Sequence, residues 1–540
     1  MIPEISSASH ALKQGAPRQL SRLDKCVSPY AINLSSGVYS WLVSITFIID
    51  QILGTLILVK MYRVSKLVKS TRRRVLLTAL LFLSLISLVA LLFSPRSHGK
   101  VFPPVDNLPQ IPLSGHQRLL VLAPHSDDET LGAAGLIQAA MRLGIQVKVV
   151  VATNGDGSLS ATMDDFRRIY PRPADFIRMG NLRQKETLAA MQVLGVNPDQ
   201  VIFLSYPDRG ISQLWSYHWS RADPYRSPYS HATVSPYSVT YNAQSIYAGE
   251  DLLADLSSIL DEYHPDLIIY PHPDDYHPDH WALSAFTQLA LALQEQKDAS
   301  YTPDAYAYLV HRSDFPVQKG LHPTAGLYPP TALNLPTYTW YQFSLSQEDI
   351  QQKEAAVLQY RSQLPLLHEL LQSFVRTNEL YARVEGVDMP ALGEGKIYDP
   401  MSWKDAENRT VEPVQFDPVR DVITRAMIAP TDIAALYAAR EGRDRIVVCA
   451  ELRGKAAPEL FYSLRILAIG QDGITHQVAR NRGLRKGWVH ATLSGRFVCD
   501  QVSLADLGEP WVVFLGADVM QTGVGILDKI AWQQVNIQVR

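Results

Sequence analysis

The chain contains few cysteines and almost no excess of charge. Three cysteines among 540 residues, without a CxxC or Cys/His pattern, exclude a disulfide-rich scaffold and a structural cysteine zinc site. Cys449 and Cys499 occur in the same C-terminal region, either paired or as two buried thiols. Lysine and arginine total 50 against 53 acidic residues, a formal net charge of -3. This balance predicts no general attraction to nucleic acid.

Composition places the chain among globular proteins. Hydrophobic residues make up 47% and charged residues 19% of the sequence, and no internal repeats or low-complexity tracts occur. A chain of this length exceeds one ordinary domain, so we expect three or four structural units.

Long apolar runs occur only near the N-terminus, and residues 1–97 are predicted to be a membrane region. Residues 75–93 lack charge and have the length of a transmembrane helix. Residues 38–59 are a possible additional span that Asp50 weakens, and Met61 is an alternative start. Seven basic and no acidic residues lie in residues 60–74, which the positive-inside bias assigns to the cytoplasm. The expected protein is membrane-anchored, with everything after Ser94 extracytoplasmic.

The soluble part is predicted to begin with a proline-rich linker, residues 98–115, followed by an α/β domain, residues 116–395. Short β-rich runs alternate with amphipathic helical runs, a pattern typical of a doubly wound, Rossmann-like, mostly parallel sheet. The predicted strands are Arg118–Ala123, Gln146–Ala152, Gln200–Leu204, Asp266–Tyr270 and Ala305–Val310. The predicted helices are Thr130–Leu143, Asn181–Leu194, Leu252–Tyr263, His280–Gln294 and a helical run Ser346–Leu371.

Two further regions differ in texture from this alternation. Residues 209–248 are rich in tryptophan and tyrosine, and either form a binding loop or lid, or fill a satellite core. Residues 410–540 contain β-rich runs separated by turn residues, which predicts a β-sandwich-like accessory domain.

Metal-binding residue types follow the first predicted strand. The segment Pro124–Thr130 reads PHSDDET and leads into a helix. His125 and Asp128 are three residues apart across this turn, so both can reach one ion, whereas Asp127 is placed to face a water molecule. Imidazole nitrogen and carboxylate oxygen are suitable zinc ligands.

A second polar segment follows the later strand Asp266–Tyr270. It runs from Pro271 to His280 and reads PHPDDYHPDH. Because the carboxyl ends of parallel strands meet at one edge of a sheet, we expect both segments to meet there. Together they supply enough histidine and aspartate for three metal ligands and a spare acid. Three protein ligands leave a position open for water, as in a catalytic site.

These two motifs resemble the paired signature of the LmbE-like or PIG-L family of zinc-dependent N-acetylglucosaminyl deacetylases. The resemblance covers roughly residues 116–385, and two positions depart from the family pattern: Ser126 replaces a usual proline and Arg209 an often-found glycine. Other segments that carry it are Thr153–Asp156, Arg183 with Glu186, Leu194–Val196, Tyr206–Asp208, Tyr308–Arg312 and Ser373–Leu380.

The resemblance implies a role for each matching residue. His125, Asp128 and His280 would bind one Zn²⁺ or another divalent ion. Asp127 would be the general base and a protonated His277 would stabilise the oxyanion or assist the departing amine. The residues implied to contact the sugar are Arg183 and Asp208.

The expected function is therefore removal of an N-acyl group, acetyl above all, from an amino-sugar glycoconjugate at the extracytoplasmic membrane face. Two alternatives remain open at this stage. One is an amidase that acts on another N-acyl or thiol–sugar conjugate. The other is a non-catalytic, glycan-binding envelope protein that keeps the site residues.

Overall fold

The computed structural model describes residues 108–417, 428–457, 459–471, 475–483 and 493–537. None of the helices in these ranges is both long enough and apolar enough to span a bilayer. The prediction of transmembrane helices and of a membrane-anchored, extracytoplasmic protein is therefore wrong for this structure. The two longest helices carry charged residues and pack against a sheet. The apolar runs behind that prediction, residues 75–93 and 38–59, lie outside the described residues.

The part of the chain that follows residue 116 alternates strands and helices, as the sequence predicts. The first seven strands are β1 Arg118–Ala123, β2 Gln146–Thr153, β3 Val201–Tyr206, β4 Leu267–Pro271, β5 Asp304–Tyr308, β6 Tyr338–Ser344 and β7 Asn378–Val384. The helices are α1 Asp128–Arg142, α2 Leu159–Phe166, α3 Pro173–Val193, α4 Ile211–Ser216, α5 Gly249–Tyr263, α6 Pro278–Lys297, α7 Gln347–Val357 and α8 Leu364–Gln372.

Two predicted helices differ substantially from the observed ones, whereas the others differ by at most three residues at an end. Helix α3 begins eight residues before the predicted Asn181, because Pro173 occupies its first turn and the Asp175 carboxylate accepts a hydrogen bond from the Arg172 N–H. The single helical run predicted for Ser346–Leu371 is instead two helices, α7 and α8.

Strand order explains where the chemistry lies. The seven strands are ordered β3-β2-β1-β4-β5-β7-β6. The five strands from β3 to β5 are parallel, whereas β7 pairs antiparallel with β5 and β6. The mostly parallel sheet is therefore confirmed. After β1 the chain continues to β2, and after β4 it continues to β5 on the other side. This reversal creates a crevice between the ends of β1 and β4.

Apolar side chains cover both faces of this sheet. Val121 and Ile269 face one core together with residues of α1 and α3. Leu120 and Ile268 face a second core with residues of α5 and α6. Burial on both faces explains why β1 and β4 read as unbroken apolar runs rather than as alternating ones.

The C-terminal strands form two five-stranded sheets packed face to face. Their orders are β11-β12-β13-β17-β16 and β15-β14-β18-β19-β8. Side chains from both sheets, such as Leu436 and Leu515, share one core. The remaining strands are β8 Val387–Asp388, β9 Leu392–Glu394, β10 Lys404–Asp405, β11 Gln415–Phe416, β12 Ile433–Glu441, β13 Arg445–Leu452, β14 Leu460–Ile469, β15 Thr475–Gly483, β16 Leu493–Ser494, β17 Phe497–Ser503, β18 Val512–Gln521 and β19 Gly525–Asn536.

A disulfide joins Cys449 and Cys499, which lie opposite each other on β13 and β17. The two cysteines are therefore paired, one of the two arrangements that the sequence leaves open. Closing a chain segment of this length typically stabilises a fold by about 2–4 kcal/mol.

Part of the aromatic segment 209–248 fills the junction between the α/β part and the C-terminal β-sheets. Trp215 is fully buried, with its ring centroid 4.9 Å from that of Phe286 on α6 and 5.2 Å from that of Trp532 on β19. The sheet that contains β14 and β18 therefore packs directly on the α/β part of the chain. For Trp215, core packing rather than ligand binding is the observed role.

A buried ion pair anchors α1 to the antiparallel edge of the sheet, and it provides a test of the packing. Lys353 Nζ lies 2.8 Å from Glu379 Oε1, and the Glu379 carboxylate also accepts hydrogen bonds from the backbone of Gly135 and Leu136. Removing one partner leaves a buried charge uncompensated. We expect Lys353→Met to lower the free energy of unfolding by about 3–5 kcal/mol.

Urea denaturation followed by circular dichroism would measure this loss. The matched control is Lys297→Met, because Lys297 pairs with Asp261 at the surface. Such pairs contribute about 0–1 kcal/mol. Equal losses in the two variants would contradict the assigned importance of the buried pair.

Candidate metal centre

The loop after β1 supplies the first half of the site. His125 and Asp127 are buried there, and Asp128 is the first residue of α1. Asp127 has φ 118°, a conformation that is strained for a residue with a side chain. Its N–H donates to Glu129 Oε2 at 3.1 Å, and its carbonyl accepts from the N–H groups of Thr130 and Leu131. These bonds hold the strained turn in one conformation.

The loop after β4 supplies the second half. His277 caps the N-terminus of α6, where its Nδ1 accepts a hydrogen bond from the Asp279 N–H at 3.3 Å. Because Nδ1 is the acceptor, the remaining nitrogen, Nε2, carries the proton in the neutral ring. His280 follows one turn later and is completely buried.

The two loops meet at the carboxylate of Asp128. Its Oδ2 lies 3.1 Å from His125 Nδ1 and 3.0 Å from His280 Nε2. The ring centroids of His125 and His280 are 5.3 Å apart. The structure therefore brings together the three residues predicted as metal ligands, although 152 positions separate Asp128 from His280 in the sequence.

Each of these histidines also has a carboxylate at its other ring nitrogen. Asp279 Oδ2 is 3.1 Å from His125 Nε2, and Asp275 Oδ2 is 3.1 Å from His280 Nδ1. Asp279 is itself held by the N–H groups of Arg209 and Ile211. Such outer carboxylates orient metal-binding histidines and increase their basicity. Sequence analysis assigned no role to Asp279. Its position between His277 and His280 is the signal that could have suggested one.

His311, after β5, also lies in this cluster. Its Nε2 is 3.9 Å from Asp128 Oδ1, and its ring centroid is 4.6 Å from that of His280. One ligand atom each from His125, Asp128, His280 and His311 lies within 4.8 Å of all the others. Sequence analysis assigns no ligand role to His311, because it lies outside both motifs.

The donor set fits a divalent cation such as zinc. Two imidazoles and a carboxylate are a known catalytic zinc ligand set. Asp128 Oδ1 is buried, and no residue in the described ranges gives it a hydrogen bond. A buried carboxylate oxygen without a donor is costly unless a cation lies beside it.

Burial and neighbouring charges shift the pKa values of the side chains in this cluster. Burial raises the pKa of Asp127 to about 7, although the guanidinium of Arg183 opposes the shift. Burial lowers the pKa of His277, and the neighbouring His125, His311 and His280 lower it further. A neutral His277 can still donate a hydrogen bond from Nε2.

Arg183 on α3 lies behind Asp127. Its Nη2 donates to Asp127 Oδ2 at 3.1 Å and to the Ser126 carbonyl at 2.5 Å, and its Nη1 donates to the Gly155 carbonyl at 2.9 Å. The guanidinium is buried, and its fork is engaged by the loops after β1 and β2.

Asp208 lies near Nε2 of the His125 ring, whereas Asp128 lies near Nδ1. Asp208 Oδ1 is 3.4 Å from His125 Nε2, and Asp208 Oδ2 accepts a hydrogen bond from the Gly157 N–H at 2.7 Å. The next residue, Arg209, has φ 59°, a conformation that favours glycine. Arg209 therefore adopts a left-handed conformation that a glycine would adopt without strain.

Similarity to known proteins agrees with this geometry. Residues 120–291 match the family model described as PIG-L, GlcNAc-PI de-N-acetylase. This part of the chain is a PIG-L domain. The matched residues contain both loops of the site, and His311 lies beyond them.

The regions that match individual relatives cover only part of this chain and only part of some relatives. A 1D-myo-inositol 2-acetamido-2-deoxy-alpha-D-glucopyranoside deacetylase of Mycobacterium sp. (strain KMS) is 29% identical over 168 residues, 30% of this chain and 46% of that protein. The chain thus spans about half the length of that relative.

Two solved structures show weaker similarity. An N,N'-diacetylchitobiose deacetylase from Pyrococcus horikoshii is 18% identical, with 52% of this chain and 88% of that chain covered and a TM-score of 0.33. A conserved protein of Thermus thermophilus is 23% identical, with 47% and 84% covered and a TM-score of 0.29.

The outer carboxylates provide a test of the metal centre. We expect Asp275→Asn to weaken Zn²⁺ binding by about 10- to 100-fold, because His280 loses its charged partner. Competition with a chromophoric chelator would measure the change in affinity. The control is Asp274→Asn in the same loop, since the Asp274 carboxylate accepts a hydrogen bond from Tyr338. If both variants bind zinc as the unchanged protein does, Asp275 does not support a metal ligand.

Proposed function

We propose that the protein is a zinc-dependent hydrolase that removes an acetyl group from the nitrogen of an amino-sugar glycoconjugate. The observation that carries the proposal is the contact of His125 and His280 with Asp128, each histidine being backed by a second carboxylate. The PIG-L match over residues 120–291 supports the reaction class, and the name of the mycobacterial relative supports an N-acetylated amino sugar as substrate.

His125, Asp128 and His280 would hold the ion. When bound, zinc acts as a Lewis acid toward an acyl oxygen and acidifies nearby water. The remaining side chains would then supply the proton transfers that amide hydrolysis requires.

Asp127 is the proposed general base. Its carboxylate would accept a proton from the water whose oxygen attacks the acyl carbon, and a proton would then pass to the sugar nitrogen as the C–N bond breaks. The products are acetate and the free amine. Arg183 and the strained backbone of Asp127 hold the carboxylate in place, which matters because a general base must lie within hydrogen-bond reach of its proton.

His277 is the proposed oxyanion partner. Its Nδ1 accepts a hydrogen bond from the Asp279 N–H at the N-terminus of α6. This bond fixes the orientation of the ring and leaves Nε2–H as the donor. A preorganised donor of this kind stabilises the negative charge that develops on the acyl oxygen in the transition state.

Substrate contact is proposed for Asp208, whose carboxylate lies next to His125 and could accept hydrogen bonds from sugar hydroxyls. The contacts of Arg183 support a different role from the one implied by the family resemblance. Its three hydrogen bonds to Asp127, Ser126 and Gly155 make it a positioning residue for the base.

The central test is acetate release by zinc-loaded protein from a panel of N-acetylglucosamine conjugates. We expect Asp127→Asn to lower kcat by about 10²–10⁴-fold at unchanged zinc content, because proton transfer from water is lost. Asp164→Asn, at an exposed position on α2, is the control. A zinc-loaded, folded protein that releases no acetate from any member of the panel would overturn the proposed reaction and favour a non-catalytic binding role.

The role of Arg183 can be separated by its kinetic effect. We expect Arg183→Gln to lower kcat by about 10²-fold with little change in KM, since Asp127 would lose its orientation. A rise in KM at constant kcat would instead indicate direct substrate contact. Arg178→Gln is the control, because Arg178 is exposed on the same helix.

A further inference from the structure

We propose that His311 is a fourth protein ligand of the metal centre. This inference rests on the proposed zinc site and adds a residue that lies outside both sequence motifs and outside the matched residues 120–291. It follows from three observations: the reach of the His311 ring, the way its backbone is held, and the unsatisfied oxygen of Asp128.

The ring of His311 reaches the same point as the other three side chains. Its Nε2 lies 3.9 Å from Asp128 Oδ1, which is too long for a hydrogen bond. Two ligands that each lie about 2.0–2.2 Å from one zinc ion are themselves roughly 3–4 Å apart. The observed separation therefore suits an ion between the two atoms better than a direct contact.

The backbone of His311 is held by the same carboxylate that supports His280. Asp275 Oδ2 accepts hydrogen bonds from the N–H groups of Val310 and His311, at 3.0 and 2.9 Å, and lies 3.1 Å from His280 Nδ1. The His311 carbonyl in turn accepts a hydrogen bond from the Tyr276 N–H at 2.9 Å. One buried carboxylate thus fixes the positions of two histidines relative to each other.

The oxygen of Asp128 that faces His311 is the one that lacks a donor. Oδ2 contacts His125 and His280, whereas the buried Oδ1 accepts no hydrogen bond from the described residues. An ion shared by Oδ1 and His311 Nε2 would satisfy both atoms.

His311 also differs from the other ligands in accessibility. Its side chain is 30% exposed, whereas the side chains of His280 and Asp128 are 0% exposed. His311 would therefore be the ligand on the solvent side of the ion. Water or an acyl oxygen would then bind as a fifth ligand, since catalytic zinc can expand to five-coordination.

The test uses the full-length chain loaded with Co²⁺, whose visible absorption reports the ligands and geometry around the ion. We expect His311→Ala to change this spectrum and to weaken Zn²⁺ binding at least about 10-fold. Free imidazole, which replaces the missing ring, should shift the Co²⁺ spectrum back. His322→Ala is the control, because His322 lies on a loop outside the metal cluster, where its Nε2 is 3.0 Å from the Lys319 carbonyl oxygen.

The Co²⁺ spectrum decides the outcome. An unchanged spectrum in His311→Ala overturns the proposal, even if affinity falls, since an indirect effect on His280 would then be responsible. His311→Gln, which retains bulk and polarity, guards against misfolding of the alanine variant, and the same criterion applies to it. If the unsubstituted protein binds neither Co²⁺ nor Zn²⁺, the proposed function fails together with this inference. If it binds both ions and the His311 variants give the same Co²⁺ spectrum, the inference alone fails.

Discussion

The contact of Asp128 with two histidines from distant loops is the interaction on which the site depends. A buried carboxylate is stable only with compensating partners, and here these are His125 from its own loop and His280 from α6. The reversal of strand order between β1 and β4 brings those loops to the same crevice. The site is therefore a consequence of sheet topology as much as of its own residues.

The carboxylates around these histidines create a strongly polar interior. Asp127, Asp208, Asp275 and Asp279 are all buried within reach of the cluster, and this concentration of charge opposes folding unless hydrogen bonds or a cation offset it. Backbone N–H groups satisfy several of these oxygens, among them those of Asp208, Asp275 and Asp279. A divalent ion would supply the positive charge that these neutral donors cannot.

The C-terminal β-sheets are packed onto the α/β part rather than tethered beside it. Trp215, from the aromatic segment, contacts Phe286 on the helix that carries His280 and Trp532 on β19. Packing at this junction therefore bears on the helix that positions one metal-binding histidine. A change in packing at this junction would displace the helix, because close-packed interiors are hard to compress and transmit strain.

The sequence alone determined the five parallel strands of the α/β part, most of the helices between them, and the two motifs with their residues, because local apolar patterns and strand-end polarity are properties of nearby residues. The antiparallel strands β6 and β7 were not predicted. Tertiary structure decided which partners those residues meet: Asp279 behind His125, Asp275 behind His280, Arg183 behind Asp127, and His311 beside Asp128. Pairing of Cys449 with Cys499 and the burial of Trp215 were likewise decided there. The reason is the same in each case: these contacts join residues that are distant in the chain, and only the folded sheet places them within a few ångströms of each other.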